Sequence, residues 1–165
     1  MSWSEAWSRR ALLATAAAGL AGCNFALRQP PKLGFSSIAL AGFSPRSPML
    51  HELRRQLAQQ VRVLDAADGA DVVLQVLNDA RERSVVASTS AAEVRAIQLR
   101  ARFGFRAQTP SGRVLIPPTE LMLASDLSYL ETTALAKEYE EADLFREMQG
   151  NLVNQVLRRL AAVRL

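Results

Sequence analysis

The sequence predicts an α+β fold, a two-layer sandwich with two helices packed on one face of a four-stranded, mainly antiparallel sheet. The expected order is β-α-β-β-β-α. Three observations predict it. Apolar and polar residues alternate strictly from Ile97 to Gln108, the mark of a strand with one buried face. Two other segments, starting near Asp71 and Arg113, read as long strands on either side of it. Two stretches, Leu50 to Leu64 and Leu144 to Val163, carry apolar residues at helical spacing. Amphipathic helices and a one-faced sheet bury their apolar sides against each other.

The elements follow in order. Phe35 to Gly42 is a short strand in which Ile38 and Leu40 alternate with small residues. Ser47-Pro48 is a helix N-cap followed by proline at the first helical position. Leu50, Leu53, Leu57, Val61 and Leu64 share one helical face, and the helix is expected to end near Val61, before Asp65, Asp68 and Gly69. The second strand begins near Asp71, with Val72, Leu74 and Val76 on one side and Val73, Gln75 and Leu77 on the other. It continues past a bend at Asn78-Asp79 through Val85 and Val86, and the chain turns at Ser88 to Ala92.

The third strand places Ile97, Leu99, Ala101, Phe103, Phe105 and Ala107 on its apolar face. Thr109-Pro110-Ser111-Gly112 is a turn, so a hairpin partner follows from about Arg113 to Ser128. Pro117-Pro118 within that strand calls for an edge position or a bulge. A long helix then runs from near Thr133 to about Arg159 or beyond. Its stripe is Leu144, Met148, Leu152, Val156, Leu160 and Val163, widened by Phe145, Val153 and Leu157. Glu138, Glu140 and Glu141 near its start, and Arg158, Arg159 and Arg164 near its end, complement the helix dipole. Gly150 weakens its middle by roughly 1 kcal/mol relative to Ala.

Composition bounds the function. The chain has 165 residues, 49% of them apolar and 22% charged, with a formal charge of +4, as suits one globular domain plus a targeting segment. One Cys and one His exclude a disulfide framework and a Cys/His zinc cage. Arg9 and Arg10 precede an apolar stretch from Ala11 to Gly22, too short to span a bilayer but right for a signal-peptide core. Leu20-Ala21-Gly22-Cys23 looks like a bacterial lipobox, in which the cysteine is acylated and becomes the first mature residue. Ser8 to Leu13 also resembles a twin-arginine export signal, but an ordinary secretory signal with two basic residues is the plainer and favoured reading. The expected layout is a lipoprotein signal peptide at 1–22, an acylated N-terminus and Pro-containing tether at 23–34, and a folded domain at 35–165. Two or more acyl chains make a stable membrane anchor, at about 0.8 kcal/mol per buried CH₂. Asn24 stands where an Asp would resemble an inner-membrane retention signal, so the expected location is the outer membrane, facing the periplasm.

No catalytic constellation is expected. His51 lies in the first turn of the first helix, off its leucine stripe, and reads as a solvated surface residue. The acids Glu138, Glu140, Glu141 and Asp143 read as solvated helix-start residues rather than a metal site. No phosphate loop, glycine fingerprint or cofactor motif is present in the sequence. The residues that stand out are arginines. Arg81 and Arg83 share one face of the second strand, and Arg100, Arg102 and Arg106 share the polar face of the third. If these strands pair, they form a guanidinium-rich sheet surface suited to phosphate or an acidic protein wall. The plainer reading is a solvated face with Glu82 and Glu120 as partners. Export argues against nucleic acid as a partner.

The segment Cys23-Asn24-Phe25-Ala26-Leu27-Arg28, directly after the lipobox, resembles the start of mature proteins of the LPS-assembly lipoprotein LptE family. Ala134-Leu135-Ala136-Lys137-Glu138 and the downstream Leu144 and Met148 resemble the start of that family's last helix. The resemblance implies a plug inside the outer-membrane β-barrel LptD, needed for that barrel's assembly, which binds lipopolysaccharide during its delivery. It implies that Lys137 is a basic position linked to lipopolysaccharide binding. A second basic position falls in Ala87-Ser88-Thr89, where no Lys or Arg is present; either Arg95 substitutes or direct lipid binding is weaker here. Other classes stay open: a lipoprotein activator of a periplasmic cell-wall synthase, or an auxiliary lipoprotein of an envelope lipid transporter. The short tether favours a site close to the membrane. Processing has a simple signature. Trp3 and Trp7 both precede Cys23, so the purified mature protein should show no tryptophan fluorescence; an indole emission band would show that the signal is retained.

Overall fold

The computed structural model describes residues 31–88, 94–128 and 134–165. The expected signal peptide, Cys23, and the turn expected beyond Ser88 lie outside the described residues. The elements are β1 (Ser37–Ala41), α1 (Pro48–Leu57), β2 (Arg62–Leu64), β3 (Val72–Ser88), β4 (Val94–Gln108), β5 (Val114–Ser128) and α2 (Ala134–Ala161). They form an α+β sandwich around a five-stranded sheet in the order β2-β1-β3-β4-β5. β1 is parallel to both β2 and β3, and β3, β4 and β5 are successive antiparallel neighbours.

The fifth strand, β2, was not expected. Val61 and Leu64 continue the helical spacing of Leu53 and Leu57, but α1 stops at Leu57. Its buried stripe is Met49, Leu53 and Leu57. Val61 is buried after a turn, and Arg62 to Leu64 pair with Ser37 to Ala39. The helix begins where its cap residues dictate. The Ser47 hydroxyl accepts from the Leu50 N–H at 3.1 Å and donates to Asp79 Oδ2 at 2.5 Å, which ties the helix start to β3.

Both helices cover one face of the sheet in a single core. Ile38, Leu74, Ile97, Leu99, Phe103 and Phe105 meet Leu53 and Leu57 of α1 and Leu152, Val156 and Leu160 of α2. Phe43, Phe103 and Phe105 stack in series, with centroids 6.0 and 5.6 Å apart. A smaller cluster of Ala39, Ala70 and Val73 lies on the opposite face, with Ala41 and Leu64 against it.

Two of the register shifts in the long strands matter most for where side chains point. Phe105 pairs with Thr119 and Ala107 with Ile116, so β5 carries an extra residue at Pro117-Pro118. β5 is also an edge strand, so both expected accommodations of these prolines occur together. In β3, Val76 pairs with Phe105 but Asn78 pairs with Gly104, which leaves Leu77 as an extra residue. Because side chains alternate with a period of two, one extra residue exchanges the faces of those beyond it, here as far as the next register shift at Val86. Val72, Leu74 and Val76 face the core before the bulge. After it, Asp79, Arg81, Arg83 and Val85 take that side, opposite Phe103, Ala101, Leu99 and Ile97. Gly104 lies directly against the bulge: a Cβ there would come within 3.2 Å of Asn78 Cβ and 3.3 Å of the Asn78 nitrogen.

The start of β3 is clamped to β1 by one carboxylate. Asp71 Oδ2 accepts from the Ser36 N–H and hydroxyl, each at 2.8 Å, and from the Ser37 N–H at 2.9 Å. The Ser37 hydroxyl in turn accepts from the Asp71 N–H at 3.0 Å. These donors, led by the Ser36 hydroxyl, hold the Asp71 carboxyl below its ordinary range.

Two expectations follow. Gly104→Ala should destabilise the domain by about 1–2 kcal/mol, because the atoms it meets are backbone and Cβ of the bulge rather than a flexible chain end; a chemical-denaturation midpoint at or above that of the native protein would show that the bulge yields freely. A carboxyl with a lowered folded-state pKa stabilises above its unfolded value and loses that contribution as pH falls through the folded one. Asp71→Asn should therefore show a shallower loss of thermal stability than the native protein on acidification below about pH 4. Parallel acid profiles of melting temperature would exclude that role.

Candidate functional site

The bulge divides the arginines that the sequence placed together. Arg100, Arg102 and Arg106 project from the open face of the sheet, whereas Arg81 and Arg83 project toward α2. They do not form one guanidinium-rich surface. The expectation failed because unbroken alternation through Leu77 puts Arg81 and Arg83 on the wrong side.

On the open face the three β4 arginines have different partners. Arg106 donates through Nε and NH2 to Gln75 Oε1 at 2.9 and 2.6 Å. Arg100 Nε donates to Gln98 Oε1 at 2.7 Å, and Gln98 Nε2 donates to Asp126 Oδ1 at 2.9 Å. Arg102 NH2 lies 3.4 Å from Glu82 Oε2, while its enclosed Nε has no acceptor. Arg102 and Glu82 match the ion pairing of the plainer reading, and two of the three guanidiniums are held by neutral amides.

On the helix face, Arg81 and Arg83 form one wall of a cleft and α2 forms the other. The cleft measures about 720 Å³ and is lined by Pro48, Arg81, Arg83, Glu138, Glu141, Ala142, Phe145, Arg146 and Gln149. The α2 residues recur every three or four positions, so one face of the helix looks onto β3. Arg83 Nε meets Glu141 Oε2 at 3.2 Å across the cleft. The Arg81 guanidinium carbon stands 5.5 Å above the Phe145 ring centroid, and its NH2 donates to Gln149 Oε1. Gln149 is itself fixed, since its Nε2 donates to the Pro48 carbonyl at 2.8 Å. Arg146 pairs with Asp143 at 2.6 Å on the exposed side of α2.

Lys137 stands near the start of α2, and its Nζ donates to Glu140 Oε2 at 2.7 Å with the side chain only 17% exposed. Its charge is compensated within its own helix. Arg95 occupies a register step on β4: Ser88 pairs with Val94 and Ala87 with Ala96, so the backbone skips it. Its side chain lies outside the described residues, as do Thr89 and Cys23. His51 is exposed in the first turn of α1. Among the described residues, no group of three or more His, Cys, Asp or Glu side chains is placed to hold a metal. No described helix is long and apolar enough to cross a membrane.

The cleft itself went unread in the sequence. Phe145 was seen only as a widening of the apolar stripe, and Gln149 and Pro48 gave no functional signal. The bulge left no sign in the sequence, since Val85 and Val86 are apolar at an odd and an even position alike.

With the geometry in place, the comparisons bear on it. No curated protein matches the chain. The solution structure of lipoprotein B from Nitrosomonas europaea is similar, with a TM-score of 0.70 and 26% identity, covering 84% of this chain and 91% of that one. Rare lipoprotein B from Shewanella oneidensis has a TM-score of 0.65 and 23% identity, covering 77% of this chain and 95% of that one. A minor lipoprotein from Acinetobacter baumannii has a TM-score of 0.63 and 22% identity, covering 79% and 93%. The last two show the shared fold. The lipopolysaccharide-assembly family model, LptE, matches residues 35–160, from the residues before β1 almost to the end of α2. The chain therefore belongs to the LptE family of lipopolysaccharide-assembly proteins.

Proposed function

We propose that the protein is acylated at Cys23, anchored on the periplasmic side of the outer membrane, and seated in the lumen of an LptD-type β-barrel, where it binds lipopolysaccharide in transit. The family match over 35–160 carries this reading. The layout of the molecule supports it. A Cβ on Gly34 would lie 3.4 Å from the Val163 carbonyl oxygen, so the tether joins the domain beside the C-terminal end of α2. Lys137 marks the other end of that helix. At 28 residues α2 is about 40 Å long, more than the roughly 30 Å hydrocarbon core of a bilayer. A domain anchored at one end of α2 and standing in a barrel presents the other end well beyond the anchored leaflet.

That far end has the chemistry of an amphiphile contact. Val85, Val86 and Tyr139 are exposed large apolar side chains, and Arg83, paired to Glu141, lies beside them with Lys137 one turn away on the helix. Arg95 belongs to the adjoining start of β4. The open face of the sheet is the polar surface offered to the barrel wall, through Arg100, Arg102 and Arg106 and the neighbouring Glu120 and Asp126. Guanidiniums held by glutamines retain donors for carboxylates and carbonyls of a partner.

A C-terminal tag and extraction in mild detergent should bring down a stoichiometric large β-barrel protein, identified by mass spectrometry. Recovery of a cell-wall synthase or a transporter subunit in its place would sink the barrel reading. Lys137→Glu should weaken lipopolysaccharide binding by about tenfold while changing barrel recovery far less. Equal losses in both would make Lys137 a structural residue.

A further inference from the structure

We propose that the cleft between β3 and α2 is a binding site for a phosphate monoester carried on a sugar-sized body, with Arg81 as its principal contact. The proposal deepens the lipopolysaccharide reading and rests on it only for the natural source of the ligand.

The argument starts from charge compensation. Arg83 has Glu141 at 3.2 Å, Arg146 has Asp143 at 2.6 Å, and Lys137 has Glu140 at 2.7 Å. An incoming anion must compete with a carboxylate at each of these. Arg81 is different: its partners are the Gln149 carbonyl oxygen and the face of the Phe145 ring. Both hold the guanidinium in place without neutralising it. Gln149 is held in turn by the Pro48 carbonyl, so the orientation is set from α1, α2 and β3 together. A guanidinium carries five donors in a planar fork, and one NH2 bond to Gln149 leaves others for a phosphate oxygen pair. The ordering of a long side chain, usually a cost of binding, is already met in the free protein.

The cleft has the size and lining for such a ligand. Its volume of about 720 Å³ falls within the range of small-molecule sites. Phe145, Ala142 and Pro48 supply apolar wall for a sugar ring. Two acids share the lining, and the partners of Arg81 include neither. Glu141 is engaged by Arg83, and Glu138 is seven residues before Phe145, about 10 Å further along the helix.

The test uses the acylated full chain, purified in a polyoxyethylene detergent, and calorimetric titration with glucosamine 1-phosphate, inorganic phosphate, N-acetylglucosamine and lipopolysaccharide. Glucosamine 1-phosphate should bind, N-acetylglucosamine should not, and inorganic phosphate should bind more weakly than the sugar phosphate. Arg81→Gln should weaken the sugar phosphate by about ten- to a hundredfold, the loss expected for charge-assisted hydrogen bonds. Arg158→Gln, which removes the same charge at the far end of α2, should leave it unchanged. Should Arg81→Gln lower the melting temperature, Arg81→Lys decides: it keeps the cation, loses the fork, and should still bind several-fold more weakly. Unchanged affinity in both Arg81 variants, or equal loss in Arg158→Gln, overturns the site. Lipopolysaccharide binding without any sugar-phosphate binding also overturns it and leaves the broader reading standing. Sugar-phosphate binding through Arg81 without lipopolysaccharide binding upholds the cleft and sinks that reading.

Discussion

One extra residue in β3 governs how this molecule presents its charges. Leu77 has no cross-strand partner, and the side chains from Asn78 to Val85 change sides, up to the next register shift at Val86. Asp79 thereby reaches the cap of α1 at Ser47, Arg81 reaches Gln149 and Phe145, and Arg83 reaches Glu141. Without the bulge these groups would join Arg100, Arg102 and Arg106 on the open face, and α2 would look onto Ala80, Glu82 and Ser84 instead. Gly104 is the partner that leaves room for it. The contacts so gained are half-exposed, and each contributes about 1 kcal/mol or less. Their effect is on where charge is placed more than on how stable the fold is.

Stability comes from elsewhere. The stacked rings of Phe43, Phe103 and Phe105, the α1 stripe and the C-terminal half of α2 form one continuous core around β1 and the first part of β3. The Asp71 clamp closes the same end. Arg81 to Ser88, in contrast, are exposed along their whole length, as are Ala136 and Glu138 to Glu140 of α2. The core reaches the far end through Ile97, Leu99 and Leu127, while the second half of β3 and the cleft beside it stay open there. This division fits the proposed lipid anchor at one end and the proposed ligand site at the other.

The sequence resolved what periodicity controls. β4 and α2 were readable because each repeats one pattern over many residues, and Ser47-Pro48 marked a helix start by local chemistry alone. β2 was hidden because Val61 and Leu64 fit the spacing of the preceding helix, and a three-residue strand has no period of its own. The Arg surface was misdrawn because a bulge alters the face of a side chain without altering its residue type. The cleft depends on Pro48, Arg81 and Phe145, which come from three elements and meet only after the sheet and both helices have packed. Lys137 was legible through resemblance, while its compensation by Glu140 needed the helix geometry.

The most direct test of this account is a set of nuclear Overhauser contacts from the Arg81 side chain in the folded protein. The bulge predicts cross-peaks from the Arg81 methylene protons to the Phe145 ring and the Gln149 side chain, and none to Arg102 or Met122. Cross-peaks to Arg102, with none to Phe145, would mean that β3 alternates without interruption, and would remove the cleft and the division of charge built on it.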